Sequence, residues 1–183
     1  MYYRYPYSYI SYKQNKDIKI NLAVINTGGT FNKEYNEIKG ILEVRQDNYF
    51  IETILKKSHI TKLPLYGVLY KDSLDITPVD RMELLAFIEK IEYNKILLVH
   101  GTDTMDESAK FLAQNLKNKT IVITGAMKPY SIDPVEATAN FMLGIGFLQN
   151  CDDKKVYIAM HGMVKEYTKI KKNKKKGIFE CLN

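Results

Sequence analysis

Five short runs rich in β-branched and apolar residues alternate with four stretches of helical periodicity, and this alternation leaves the chain few architectures. The strand-like runs are Ile18 to Ile25, Leu65 to Tyr70, Ile96 to Val99, Thr120 to Thr124 and Val156 to Met160. Helices are predicted over Asp47 to Lys57, Thr77 to Ile91, Met105 to Leu116 and Asp133 to Gln149. Two of them begin with the same device. Thr77-Pro78-Val79-Asp80 and Asp133-Pro134-Val135-Glu136 each place a capping side chain, a proline at the first helical position and an acid in the first turn. From Thr77 onward, Met82, Leu85, Phe87, Ile88 and Ile91 form a broad apolar stripe. Strands and helices in strict succession predict an α/β fold: a doubly wound, mostly parallel, Rossmann-like sheet with right-handed crossovers and helices on both faces.

A length of 183 residues suits one such domain, expected over 17–183. Met1 to Lys16, with six tyrosines between Tyr2 and Tyr12, reads as a poorly ordered extension. Apolar residues make up 45% of the chain, but no uninterrupted apolar run reaches the roughly 18 residues of a membrane span, and no export leader is evident. The expectation is a cytoplasmic protein with no membrane partner. Cys151 and Cys181 form no C-x-x-C pair and are read as reduced thiols. The net charge of +6 traces to Lys165 through Lys176, where seven lysines face the single acid Glu166. That cluster reads as a solvated loop rather than the dispersed basic face of a specific nucleic-acid binder. His59, His100 and His161 show no metal-ligand spacing and are expected to be structural.

Two loops carry the chemistry. Thr27-Gly28-Gly29-Thr30 follows the first strand run, and His100-Gly101-Thr102-Asp103-Thr104 follows the third. In an open parallel sheet the carboxyl ends of the strands converge on one edge, where ligands bind, so two hydroxyl-rich loops there read as one site. Taken singly each has an ordinary explanation. Gly28-Gly29 also fits a tight turn, and Asp103 or Thr104 also fits a helix cap. A phosphate cradle is disfavoured because G-x-G-x-x-G and a P-loop lysine are both missing. A threonine hydroxyl becomes a nucleophile or relay only beside a base, a role open to lysine.

With those residues in view, Thr27-Gly28-Gly29-Thr30-Phe31 resembles the first signature of bacterial-type L-asparaginases, and His100 to Ala109 is similar to their second. Asp72-Ser73-Leu74-Asp75-Ile76-Thr77-Pro78 resembles that family's substrate-carboxylate loop. Ile123-Thr124-Gly125-Ala126-Met127-Lys128-Pro129 resembles a further strand-loop segment, with lysine in place of arginine. The resemblance implies an amidohydrolase acting on asparagine or glutamine through an acyl-enzyme. Thr27 would be the nucleophile, with Thr102, Asp103 and a lysine as the second catalytic cluster. Lys172 matches that lysine best, with Lys169 and Lys171 as alternatives, and Tyr35 is the candidate for a tyrosine assisting the nucleophile. Ser73, Gly28, Gly101 and Ala126 are the expected substrate contacts. The partner is a small amino-acid amide, and no cofactor or metal is expected. In the family a second domain from a neighbouring subunit completes the pocket, which implies a homo-oligomer here. The alternative is a noncatalytic module that binds a small amino acid or a partner protein.

Overall fold

The computed structural model describes residues 21–60 and 62–182. The expected extension over 1–16 and the first residues of the run starting at Ile18 lie outside them. The central sheet contains β1 (Leu22–Gly28), β4 (Leu65–Lys71), β5 (Lys95–Val99), β6 (Thr120–Thr124), β7 (Val156–Met160) and β8 (Met163–Glu166). Their order is β4-β1-β5-β6-β7-β8. All neighbours are parallel except β8, which pairs antiparallel with β7. The helices are α1 (Tyr49–Lys57), α2 (Pro78–Lys90), α3 (Met105–Asn115) and α4 (Pro134–Asn150).

Side chains along each strand alternate between two cores. On one face Leu22, Val24, Leu97 and Val99 meet Ile51 and Ile54 of α1 and Phe141 and Ile145 of α4. On the other, Ile25, Ile96, Leu98 and Ile123 meet Leu84 and Ile88 of α2 and Leu112 of α3. These are fully or almost fully buried, each stabilising the fold by about 1.5–3 kcal/mol relative to exposure. A sheet covered on both faces explains why its strands read as continuous apolar runs. Helix starts follow the sequence: Thr77 and Asp80 cap α2 reciprocally, and Asp133 caps α4 by accepting from Val135 N.

Two antiparallel hairpins extend beyond the predicted elements. One pairs β2 (Lys33–Asn36) with β3 (Ile41–Val44), and the other pairs β9 (Ile170–Asn173) with β10 (Ile178–Cys181). The second corrects the expectation of a solvated lysine loop over 165–176. Lys171, Lys174, Lys175 and Lys176 are exposed as expected, or nearly so, but Ile170 and Phe179 are buried in the α2/α3 core and anchor the hairpin there. Lys172 stands directly opposite Phe179 and shares its inward face.

Candidate active site

β1 lies between β4 and β5, so the chain departs to opposite sides of it, and the loops at the carboxyl ends of these three strands close on one another. Gly29 N donates to Lys71 O at 2.8 Å, tying the first loop to the end of β4. A Cβ on Gly29 would fall 2.3 Å from both Cα and N of Gly101, and one on Gly101 would fall 2.6 Å from Ser73 Oγ. Glycines at 29 and 101 thus allow three backbones to touch. The sequence expectation that the two threonine-glycine loops share one edge is met by direct backbone contact.

At that edge Lys172 Nζ donates to Thr102 Oγ1 at 2.8 Å and to Asp103 Oδ1 at 2.9 Å. The Lys172 side chain is 13% exposed and that of Asp103 33%, so their ion pair is partly withdrawn from water. Of the three candidate lysines the structure brings Lys172 here, whereas Lys169 and Lys171 are exposed. Ser73, only 1% exposed, joins the cluster from the β4–α2 connection. Its Oγ accepts from Asp103 N at 3.2 Å, leaving the hydroxyl proton to donate, and its carbonyl accepts from Thr104 Oγ1 at 2.7 Å. Because the ammonium donates to Thr102, the Thr102 hydroxyl is likewise left to donate its own proton onward.

Thr27 requires a correction. The first strand runs through Gly28 rather than stopping near Ile25, so Thr27 is a strand residue with no exposed surface. Its hydroxyl donates to Val99 O of the adjacent strand at 2.9 Å. A side chain held in that way braces β1 against β5 and offers no face to a substrate. Thr30, three residues on, begins a 3-10 turn directly after the Gly29–Gly101 contact. It is partly exposed, and its hydroxyl makes no hydrogen bond to another described residue. The glycines that permit the tight exit from β1, Gly28 at φ 96° and Gly29 at φ 73°, place Thr30 rather than Thr27 at the loop surface.

The remaining expected residues are less uniform. Gly28 packs against the Lys71 backbone, and Ala126 is fully buried after β6, where neighbouring Gly125 lies against His100 O. Tyr35 is 58% exposed on the β2–β3 hairpin, facing Gly40 of its own turn, and is not among the residues that meet Thr102 and Lys172. Beside the hairpin is an open cavity of about 670 Å³ whose wall includes Lys33, Leu42, Tyr70, Asp72 and Leu74. Lys33 and Asp72 form an ion pair of 2.5 Å across it, linking the hairpin to the residue before Ser73. Desolvation pushes the Asp72 carboxyl up, but hydrogen bonds from Lys33 and the Leu74 N–H, with the charges of Lys33 and, least, Lys172, hold it below its ordinary range.

Behind the second loop His100 is fully buried, its Nδ1 2.8 Å from Gly101 O and its Nε2 2.9 Å from Ser108 Oγ. Arg81 Nε donates to Ser108 Oγ at 3.1 Å, which orders the chain of bonds: Ser108 donates to Nε2, and Nδ1–H donates to Gly101 O. Burial pushes the imidazole down to about 4, so the ring is neutral at pH 7. Its role is structural, fixing the peptide that leads into Thr102. Among the described residues no group of His, Cys, Asp or Glu could hold a metal ion, and no helix is long and apolar enough to cross a membrane.

Residues 21–179 match the family description "Asparaginase, N-terminal". L-asparaginase of Thermococcus kodakarensis is 25% identical over 170 residues, covering 90% of this chain and 52% of that protein. A glutamyl-tRNA(Gln) amidotransferase subunit of Nanoarchaeum equitans is 28% identical over 155 residues, 82% of this chain and 39% of that protein. The solved structure of the thermostable T. kodakarensis L-asparaginase superposes with a TM-score of 0.73 at 24% identity, over 88% of this chain and 51% of that one. L-asparaginase I from Vibrio cholerae gives 0.74 at 21% identity, with the same coverages. The chain spans about half the length of these two asparaginases and shares their fold over that half. The protein belongs to the asparaginase family, which it matches over the N-terminal domain.

Proposed function

We propose that the protein hydrolyses the side-chain amide of a small amino acid, L-asparagine or L-glutamine, releasing ammonia. The observation that carries this reading is the Lys172–Thr102–Asp103 cluster, held by hydrogen bonds of 2.8 and 2.9 Å beside the first threonine-glycine loop. Thr30 takes the nucleophilic role expected of Thr27, since it is the partly exposed threonine of that loop, whereas Thr27 is buried. The Thr30 hydroxyl attacks the amide carbon and the hydroxyl proton passes to the departing nitrogen, so that ammonia leaves; water then attacks the resulting ester, freeing the carboxylic acid and restoring the Thr30 hydroxyl, while Thr102, aligned by the Lys172 ammonium, donates a hydrogen bond to the reacting oxygen. Asp103 supplies a fixed negative charge for the substrate amine, and the Ser73 hydroxyl donates to its carboxylate. Backbone N–H groups of the tight loops are suited to the oxyanion. A second copy of the chain, or another subunit, would enclose the open edge.

The test is ammonia release from L-asparagine and L-glutamine by the purified protein. The reading expects turnover that falls at least ~10³-fold in Thr30→Val and in Thr102→Val, with Thr27→Val retaining most of it. Equal background in wild type and all three variants would end it. A second reading draws on the similarity to the archaeal amidotransferase subunit. The same cluster would then act within a larger assembly, passing the amide nitrogen to an acceptor held by a partner rather than to water. Turnover appearing only on addition of such a partner distinguishes it.

A further inference from the structure

The hairpin that carries Lys172 is held at its far side by a histidine. His161 and Gly162 form the two-residue turn between β7 and β8, with φ 51° and 77°. His161 N donates to Asn140 Oδ1 at 2.9 Å, and Asn140 Nδ2 donates to Gly125 O at 3.1 Å, so the turn is fixed to α4 and the β6 loop. The imidazole spans two elements. Its Nε2 lies 3.2 Å from Glu136 Oε1 and its Nδ1 accepts from Phe179 N at 3.2 Å. The ring also meets the Phe179 ring edge-on, with centroids 6.0 Å apart at 84°. Phe179 is the cross-strand partner of Lys172, which reaches Thr102.

This geometry requires one protonation state. Phe179 N–H is a donor, so Nδ1 must carry a lone pair, and the ring proton sits on Nε2 toward Glu136. A proton added at Nδ1 would set two N–H groups against each other and leave the Phe179 amide without an acceptor in a region where Phe179 is only 4% exposed. The charged groups around the ring are few. Glu136 is already held by Met127 N at 2.9 Å and Lys128 N at 3.2 Å, while the Lys128 ammonium is turned to Asp133. Glu180, next to Phe179, is paired with Lys176.

We propose that His161 is a positioning residue for Lys172. Unprotonated at Nδ1 it pins the β9–β10 hairpin through Phe179, and protonation there releases the hairpin and withdraws the Lys172 ammonium from Thr102. The inference rests on the catalytic reading of that pair and gives the site an acid-sensitive off state.

Two substitutions separate the acceptor from the titration, and both tolerate a positive φ. His161→Asn keeps an acceptor near the Nδ1 position but does not ionise, whereas His161→Gly has no acceptor at all. Ammonia release would be measured over a pH series that runs from neutral into acid. In parallel, NMR would follow the His161 ring, the Phe179 amide and the Lys172 side chain. The expectation is that wild-type kcat falls on acidification with the midpoint of the ring, and that both reporter signals move with that midpoint. His161→Asn should keep kcat within about 3-fold at the neutral end of the series and lose that acid limb, and His161→Gly should lose about 10-fold or more in kcat with KM little changed. The proposal is overturned if the Phe179 and Lys172 signals ignore the ring titration, if His161→Asn retains the wild-type acid limb, or if His161→Gly matches wild-type kcat. A wild type that hydrolyses neither amide defeats the functional reading alone, because the two NMR signals still decide whether His161 holds the hairpin.

Discussion

Lys172 Nζ lies 2.8 Å from Thr102 Oγ1 although 70 residues separate them in the chain. Nothing local joins them: Thr102 sits on the loop after β5, and Lys172 on a hairpin anchored in the α2/α3 core by Ile170 and Phe179. The hairpin therefore acts as an arm that delivers one ammonium to the sheet edge. Lys172→Met should lower amide turnover by about 10²- to 10⁴-fold, the range expected for loss of a positioned proton-transfer group. Lys169→Ala and Lys171→Ala should stay within about 2-fold, because their side chains are exposed and surface changes of this kind are near neutral. Steady-state kinetics on the three variants check this.

Thr27 should matter for stability rather than turnover. Its hydroxyl bridges β1 to Val99 O in a fully buried position. Thr27→Val preserves shape and removes the donor, so urea unfolding should show a loss of about 1 kcal/mol. Thr27→Ser should restore most of it.

Gly29→Ala should be severe. The residue has φ 73°, and the new methyl would lie 2.3 Å from Gly101 backbone atoms. Backbone strain together with forced separation of the two loops is expected to cost at least about 2 kcal/mol. Turnover should fall as well, since that contact joins the loop of Thr30 to the loop of Thr102 through Gly29 and Gly101. Thermal melting and ammonia release read the two effects separately.

Asp80 gives a pH-dependent test of the α2 start. The Lys71 ammonium, followed by the Thr77 backbone N–H, lowers its carboxyl from 3.8 to about 2. A carboxyl depressed on folding binds its proton more readily in the unfolded chain. Its stabilisation is therefore complete above about pH 4 and disappears as pH falls through about 2. Asp80→Asn should destabilise the protein by about 1 kcal/mol at pH 7, with the difference from wild type closing near pH 2. A difference independent of pH would show that the ionised carboxylate is not the stabilising species.

His100 should also cost stability on acidification, but over a higher interval and for a different reason. Burial lowers the ring from 6.5 to about 4, so between those values the unfolded chain takes up a proton that the folded protein refuses. Stability should decline as pH falls from about 6.5 to about 4, by on the order of 3 kcal/mol, and show no further loss from this group below that. His100→Asn should have a flatter profile across the same interval in urea unfolding.

Read from the chain alone, the alternation of strands and helices, both proline-capped helix starts, and Thr102 and Asp103 as residues to watch were within reach, whereas Ser73 and the choice among Lys169, Lys171 and Lys172 came only from the resemblance of short motifs to a known family. Hydrophobic period, capping chemistry and glycine-rich loops are local signals, and they survive without knowledge of distant neighbours. Which threonine of the first loop is reachable was settled by long-range pairing instead. β1 pairs with β5 as far as Asn26 and with β4 as far as Gly28, and pairing with distant strands leaves no mark in the local pattern. The folded molecule likewise turned a run of lysines into an arm with one inward member. The chain alone read as a solvated loop there, and the side that faces Thr102 was fixed by Ile170 and Phe179 finding a core built from α2 and α3. Local chemistry names the groups; burial against residues far along the chain determines which of them meet.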